Sequence, residues 1–133
     1  MKLCALVLAL CTAGCGNWLT TSKRTLIGMH AGADATRHVS SYVYHSRCMK
    51  VAAQCEVAPP ACASLKACHA DRAKFNSALT MVYRALNAAR ALVEAAAVAK
   101  VPGTFRDKVL AVVLKVVTEY RALMALADSM GVQ

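Results

Sequence analysis

Four cysteines crowd into one short stretch, "CMKVAAQCEVAPPACASLKAC", where Cys48, Cys55, Cys62 and Cys68 are separated by six, six and five residues. Thiols this close together either oxidise in pairs or hold a metal. The metal reading is the weaker one, because zinc motifs place two to four residues between paired ligands. Covalent haem is excluded, since the Cys68-His69 pair would need its first cysteine where Leu65 stands. Helix geometry separates the three ways of pairing. If 48–55 is helical, Cys48 and Cys55 lie about 10 Å apart, beyond the roughly 7 Å between Cα atoms that a disulfide spans. Cys62 and Cys68 fail in the same way at about 9 Å. The crossed pairing would slide two helices out of register about Pro59-Pro60. Nesting remains, with Cys55–Cys62 closing the turn and Cys48–Cys68 tying the hairpin about two helical turns further out. The index sums, 117 and 116, agree as an antiparallel pair requires.

The other candidates for chemistry are fewer. Four histidines, His30, His38, His45 and His69, are of the side-chain type that most often serves as general acid, general base or metal ligand. The spacing of the first three could bring them near one helix face. His30 has Asp34 four residues on, which reads as a local pair on a helix rather than an acid–base unit, because no marked nucleophile accompanies it. Seven acids are spread along the chain, with no Gly-rich phosphate loop and no nucleophile elbow. We therefore expect no enzyme, no cofactor and no catalytic or metal-binding residue.

Three helices would have to position these residues. With 5% aromatic residues, few Gly and Pro, and much Ala, Leu, Val, Lys and Arg, the composition favours helix. Residues 18–56 carry sparse apolar positions (Leu19, Leu26, Ile27, Met29, Val39, Val43, Tyr44, Val51) compatible with one long amphipathic helix, although Gly28, Gly32 and the stretch from Thr36 to Ser41 could bend it. Pro59-Pro60 stops it. From 61 to 99, Leu65, Cys68, Phe75, Leu79, Val82, Leu86, Ala89, Val93 and Ala96 follow steps of three and four, with Arg72 in register. That is a heptad seam, which could pack inside the chain or pair two copies. Pro102-Gly103 breaks this helix, and Thr104 with Asp107 reads as a variant capping box opening a third over 104–130. Its broad face (Val109, Leu110, Val113, Val116, Val117, Tyr120, Leu123, Met124, Ala127) is wide enough to meet both partners, while Lys115, Glu119 and Arg121 disfavour a transmembrane reading. The expected fold is all-α: an antiparallel three-helix bundle with two nested disulfides, one domain over 18–133. The stapled hairpin looks like those of the twin-cysteine coiled-coil-helix family, whose pairs are spaced more widely, so only the architecture is carried over by analogy.

The N-terminus, "MKLCALVLALCTAGC", has one basic residue, an apolar run from Leu3 to Cys11 and then small residues. This is the layout of a secretory signal, too short to span a bilayer. Thr12-Ala13-Gly14-Cys15 resembles the lipobox of bacterial lipoproteins, with Thr12 where that family prefers Leu. The resemblance implies a signal peptide over 1–14, lipid on Cys15 and a short lipidated N-terminus over 15–17. Gly16 in the second mature position implies the periplasmic face of the outer membrane. The alternative is an ordinary cleaved signal, for instance after Ala13, and a soluble secreted or periplasmic protein. Cysteine arithmetic favours the lipid: of seven cysteines, removing Cys4 and Cys11 and acylating Cys15 leaves an even four.

A net charge of +9 attracts anionic polymers and headgroups. The scattered cations, with few aromatics among them, disfavour nucleic acid as partner. We expect a cell-envelope lipoprotein of interaction or scaffold type, its partners the membrane through its anchor and an envelope protein or anionic polymer. A homo-oligomer through the second helix's seam is the further option. The alternative function is a membrane-active or apolar-ligand-carrying helical protein, for example one encoded by a phage and acting in lysis or exclusion.

Overall fold

The computed structural model describes residues 18–58, 61–99 and 105–132. The signal-like segment with Cys15, Pro59-Pro60 and the breaker and cap from Lys100 to Thr104 lie outside them. Three helices run in up-down-up order, α1 Trp18–Val57, α2 Ala61–Val98 and α3 Arg106–Ser129. Both expected disulfides are present, Cys48–Cys68 and Cys55–Cys62, with Cα separations of 5.9 and 4.7 Å. Among the described residues, no helix is long and apolar enough to cross a membrane.

α2 follows its pattern closely. Cys68, Phe75, Leu79, Val82, Leu86, Ala89, Val93 and Ala96 are all buried, and Leu65 is half-buried. The seam belongs to the core that α2 shares with α1 and α3, so these residues are occupied within a single chain. On α3, Val109, Val113, Val116, Val117, Leu123 and Ala127 are buried, with Leu110, Tyr120 and Met124 at the edges.

α1 differs from its expected face. Ile27 is 66% and Val39 is 40% exposed, and the buried positions are Trp18, Ser22, Leu26, Met29, Ala33, Thr36, Ser40 and Tyr44. Steps of three and four still hold, but small hydroxyl residues occupy part of the seam, so an apolar count misses it. Nor do Gly32 and the stretch from Thr36 to Ser41 interrupt the helix. Thr36 Oγ1 donates to Gly32 O at 2.8 Å and Ser40 Oγ to Arg37 O at 2.9 Å, which satisfies the hydroxyls inside the helix as they are buried.

Gly32 has a packing role. A Cβ there would collide with the Tyr120 hydroxyl and come within 3.2 Å of the ring carbon that bears it. The missing side chain lets α3 lie close on α1, where Thr36 Oγ1 also reaches Met124 Sδ at 3.6 Å. These contacts keep a near-constant offset, Gly32 with Tyr120, Thr36 with Met124 and Tyr44 with Met130, as expected of parallel neighbours.

α3 begins at Arg106, two residues later than the expected 104, after Phe105, which makes no side-chain capping bond. Its end is sharply made. Gly131 takes φ +73°, Gly131 N donates to Asp128 O at 3.0 Å and Val132 N to Ala127 O at 2.9 Å. This is a Schellman motif, in which glycine bears the left-handed turn and the following apolar residue packs on the last turn. Val132 and Ala127 are accordingly both buried.

Gly32→Ala is expected to cost about 1–2 kcal/mol by overpacking, although alanine is the better helix former. Combining it with Tyr120→Phe should recover about 1 kcal/mol of that loss. Urea unfolding of the two single variants and the double variant measures the coupling; additive effects would remove the close contact as the role of Gly32.

Candidate functional site

The stapled end of the hairpin stands apart from the rest of the bundle. α3 stops where Arg47 Nη1 donates to Met130 O at 3.4 Å and the Tyr44 hydroxyl meets Met130 Sδ. Beyond that point only α1 and α2 continue. Among the described residues from 45 to 67, none is buried. Two disulfides hold this two-helix tip where a hydrophobic core is lacking. The same segment is basic: it carries exposed Arg47, Lys50 and Lys66 against exposed Glu56, and half-buried Asp71 with exposed Arg72 and Lys74 follows on α2. At its base, burial and then the charge of Asp71 raise the Tyr44 phenol above its usual value of 10.0, with Arg47 and Arg72 pulling the other way.

A second polar cluster lies midway along α1 and α2. Tyr83 of α2 donates its hydroxyl to Asp34 Oδ1 on α1. His30 meets the edge of the Tyr83 ring at a centroid distance of 5.4 Å, with Nε2 3.7 Å from Asp34 Oδ2. That distance is too long for a hydrogen bond. His30 Nδ1 is buried without a partner among the described residues. Burial first, then the hydrogen bond to and charge of Asp34, push the Tyr83 phenol above 10.0, against Arg37. The chemistry of this cluster is that of a polar clamp between helices: the phenol satisfies the carboxylate, and the imidazole fills the space beside both.

The His30–Asp34 pair was legible from its spacing, whereas Tyr83 was not. The signal that finds Tyr83 is the hairpin register. Cys48 with Cys68 gives an index sum of 116, and Cys55 with Cys62 and Asp34 with Tyr83 each give 117. Lys23 with Glu94 and Ile27 with Arg90, which share the walls of one open groove, also give 117. His38, His45 and His69 are exposed, and the structure does not gather them with His30. No group of three or more His, Cys, Asp or Glu side chains that could hold a metal occurs among the described residues. Cys15, the residue assigned to lipid, lies outside the described residues.

The loops closed by the inner and outer disulfides correspond to roughly 2 and 3 kcal/mol in the chain-entropy model, less for one when the other is present. Replacing Cys55 and Cys62 by Ser should therefore lower stability modestly and raise amide exchange at 50–67 alone, whereas also replacing Cys48 and Cys68 should extend the exchange to Tyr44 and Phe75. Protection unchanged at the tip would refute the staple. The phenols of Tyr44 and Tyr83 are raised in the folded state, so their contribution to stability is complete below pH 10 and is lost as pH rises through the raised values. Urea midpoints should fall above pH 10, and Tyr83→Phe or Tyr44→Phe should each make that fall shallower; phenolate absorbance should show one late-ionising group fewer in each variant.

Compared with protein-family models, with curated proteins and with solved structures, the chain matches none.

Proposed function

We propose that this protein is an exported, lipid-anchored component of a bacterial-type cell envelope, and that it works by binding rather than by catalysis. The observation that carries the reading is the pair of nested disulfides, Cys48–Cys68 and Cys55–Cys62, because structural disulfides of this kind belong to oxidising compartments. The N-terminal pattern ending in Thr12-Ala13-Gly14-Cys15 agrees with it independently. Acylation of Cys15 supplies at least two chains, the condition for stable anchoring.

The anchor adjoins the start of α1, and the stapled tip is at its other end. A 40-residue helix separates them by about 60 Å at 1.5 Å per residue. What the tip offers is a rigid basic surface built on a constrained hairpin, suited to an acidic protein face or an anionic envelope polymer. Rigidity matters here because binding then costs less ordering of the backbone.

The alternative, a membrane-active or apolar-ligand-carrying protein, would need the apolar face of α3 to open. That face is packed against α1 and α2, so the opening would expose the core.

Intact-mass spectrometry of the protein purified from bacterial membranes, with non-reducing peptide mapping, tests the reading. The expected result is a chain beginning at a diacylated or triacylated Cys15, with Cys48 joined to Cys68 and Cys55 to Cys62. A chain that is unacylated and carries four free thiols would overturn both address and chemistry. An unacylated chain with both disulfides would leave export and replace the anchor with a soluble periplasmic or secreted protein.

A further inference from the structure

α1 has a second face. Opposite its buried seam, positions 28, 31, 35, 39, 42, 46, 49, 53 and 57 recur in steps of three and four, all are exposed, and none carries a charge. Four of the large hydrophobic residues that the structure leaves exposed lie on this one stripe: Val39 at 40%, Tyr42 at 77%, Met49 at 59% and Val57 at 86%. A solvated helix face usually carries charges at such positions. Here the nearest charges are Lys50 on one flank, Glu56 on the other and Arg24 one step beyond Gly28, while Lys23, Arg37 and Arg47 lie toward the buried face. The stripe runs about 44 Å at 1.5 Å per residue, four heptads, which is long enough for a two-stranded seam.

We propose that this stripe is the contact surface for a second copy of the same chain, with the two α1 helices antiparallel about a two-fold axis between Val39 and Tyr42. The reason is self-complementarity. In that register Val39 meets Tyr42 of the second copy, Met49 falls on Ala31, and Ala35 meets Ser46, so no large residue falls on its own copy. Position 28, a glycine, faces Ala53. The charges agree: exposed Arg24, at one end of the stripe, comes opposite exposed Glu56, at the other. A parallel pair would instead stack Tyr42 on Tyr42 and Met49 on Met49, and set Arg24 against Arg24 and Glu56 against Glu56. An isologous contact of this kind closes on itself and gives a dimer rather than a filament.

The arrangement goes beyond the lipoprotein reading and is consistent with it. The two-fold axis is perpendicular to α1, so with that axis along the membrane normal both N-termini reach the same leaflet, one at each end of a bar lying along the bilayer. The surface is distinct from the α2 seam, whose residues are buried inside one chain.

Sedimentation velocity of the mature full chain, with its disulfides formed and in excess non-ionic detergent, tests the proposal over about 1–200 μM, the span where a seam with few large knobs should dimerise. The expected result is a reversible monomer–dimer equilibrium. Tyr42→Glu, which sets two carboxylates beside the two-fold axis, should weaken it about 100-fold or more, with helix content unchanged by circular dichroism because Tyr42 is exposed. Arg24→Glu and Glu56→Arg should each weaken dimerisation about three- to tenfold, and the double swap should restore it. A chain that stays monomeric throughout, a dimer indifferent to Tyr42→Glu, or single charge reversals that the double swap does not rescue would each overturn the proposal. A monomer that binds vesicles through Tyr42 and Met49 would assign the stripe to lipid instead. None of these readouts depends on whether Cys15 is acylated, so failure here and failure of the anchor are separately visible.

Discussion

The register of α1 against α2 is the constraint from which the rest of this structure follows. Two covalent bonds, Cys55–Cys62 and Cys48–Cys68, set it at a tip where none of the described residues from 45 to 67 is buried, the outer bond ending on buried Cys68. A hairpin of two helices can slide by a heptad with little change in apolar contact, because its seam repeats. Crosslinks at two levels remove that freedom. The same register then reappears far from the crosslinks, at Asp34 with Tyr83 and in the groove between Lys23 and Glu94. The Tyr83–Asp34 hydrogen bond is the polar check on an alignment that the disulfides impose and the α2 seam fills.

Unequal helix lengths divide the molecule into two regimes. Where α3 is present, stability comes from close packing, with Leu26, Phe75, Leu86, Val113, Val116 and Leu123 almost completely buried. Small residues decide how near α3 can come: Gly32 leaves room for Tyr120, and Thr36 and Ser40 bury hydroxyls already bonded within their own helix. Beyond Met130 the third layer is gone and two helices alone cannot bury much surface, so crosslinks take over the task of the core. A small domain has a net stability of only a few kcal/mol, which makes such a division consequential.

The functional reading follows this division. The packed half holds the polar clamp of His30, Asp34 and Tyr83, whose groups serve each other across the α1/α2 interface, and it leaves the outward face of α1 uncharged from Gly28 onward. The stapled half is rigid, basic and open to solvent. A protein so built has surfaces to offer, and we read it as one that binds: a constrained basic tip for an acidic partner, and an apolar stripe for a second copy.

Much of the architecture was legible in the sequence because it is periodic. Steps of three and four located α2 and α3 and nearly all their buried residues, prolines placed the breaks, and the cysteine spacing selected one pairing out of three because helix rise is fixed. α1 was legible as a helix but not as a face. Ile27 and Val39 look like core residues by type, and Ser22, Thr36 and Ser40 do not, yet the structure reverses them, because burial on α1 is set by how α2 and α3 together pack against it. The partner of Asp34 was equally hidden: Tyr83 stands 49 residues away, and only the register brings it near. The sequence alone determined local helices and crosslinks, since those depend on neighbours within a turn or on a covalent length. The tertiary structure alone decided which side of α1 faces inward, because that choice is made by the fit of two other helices against it.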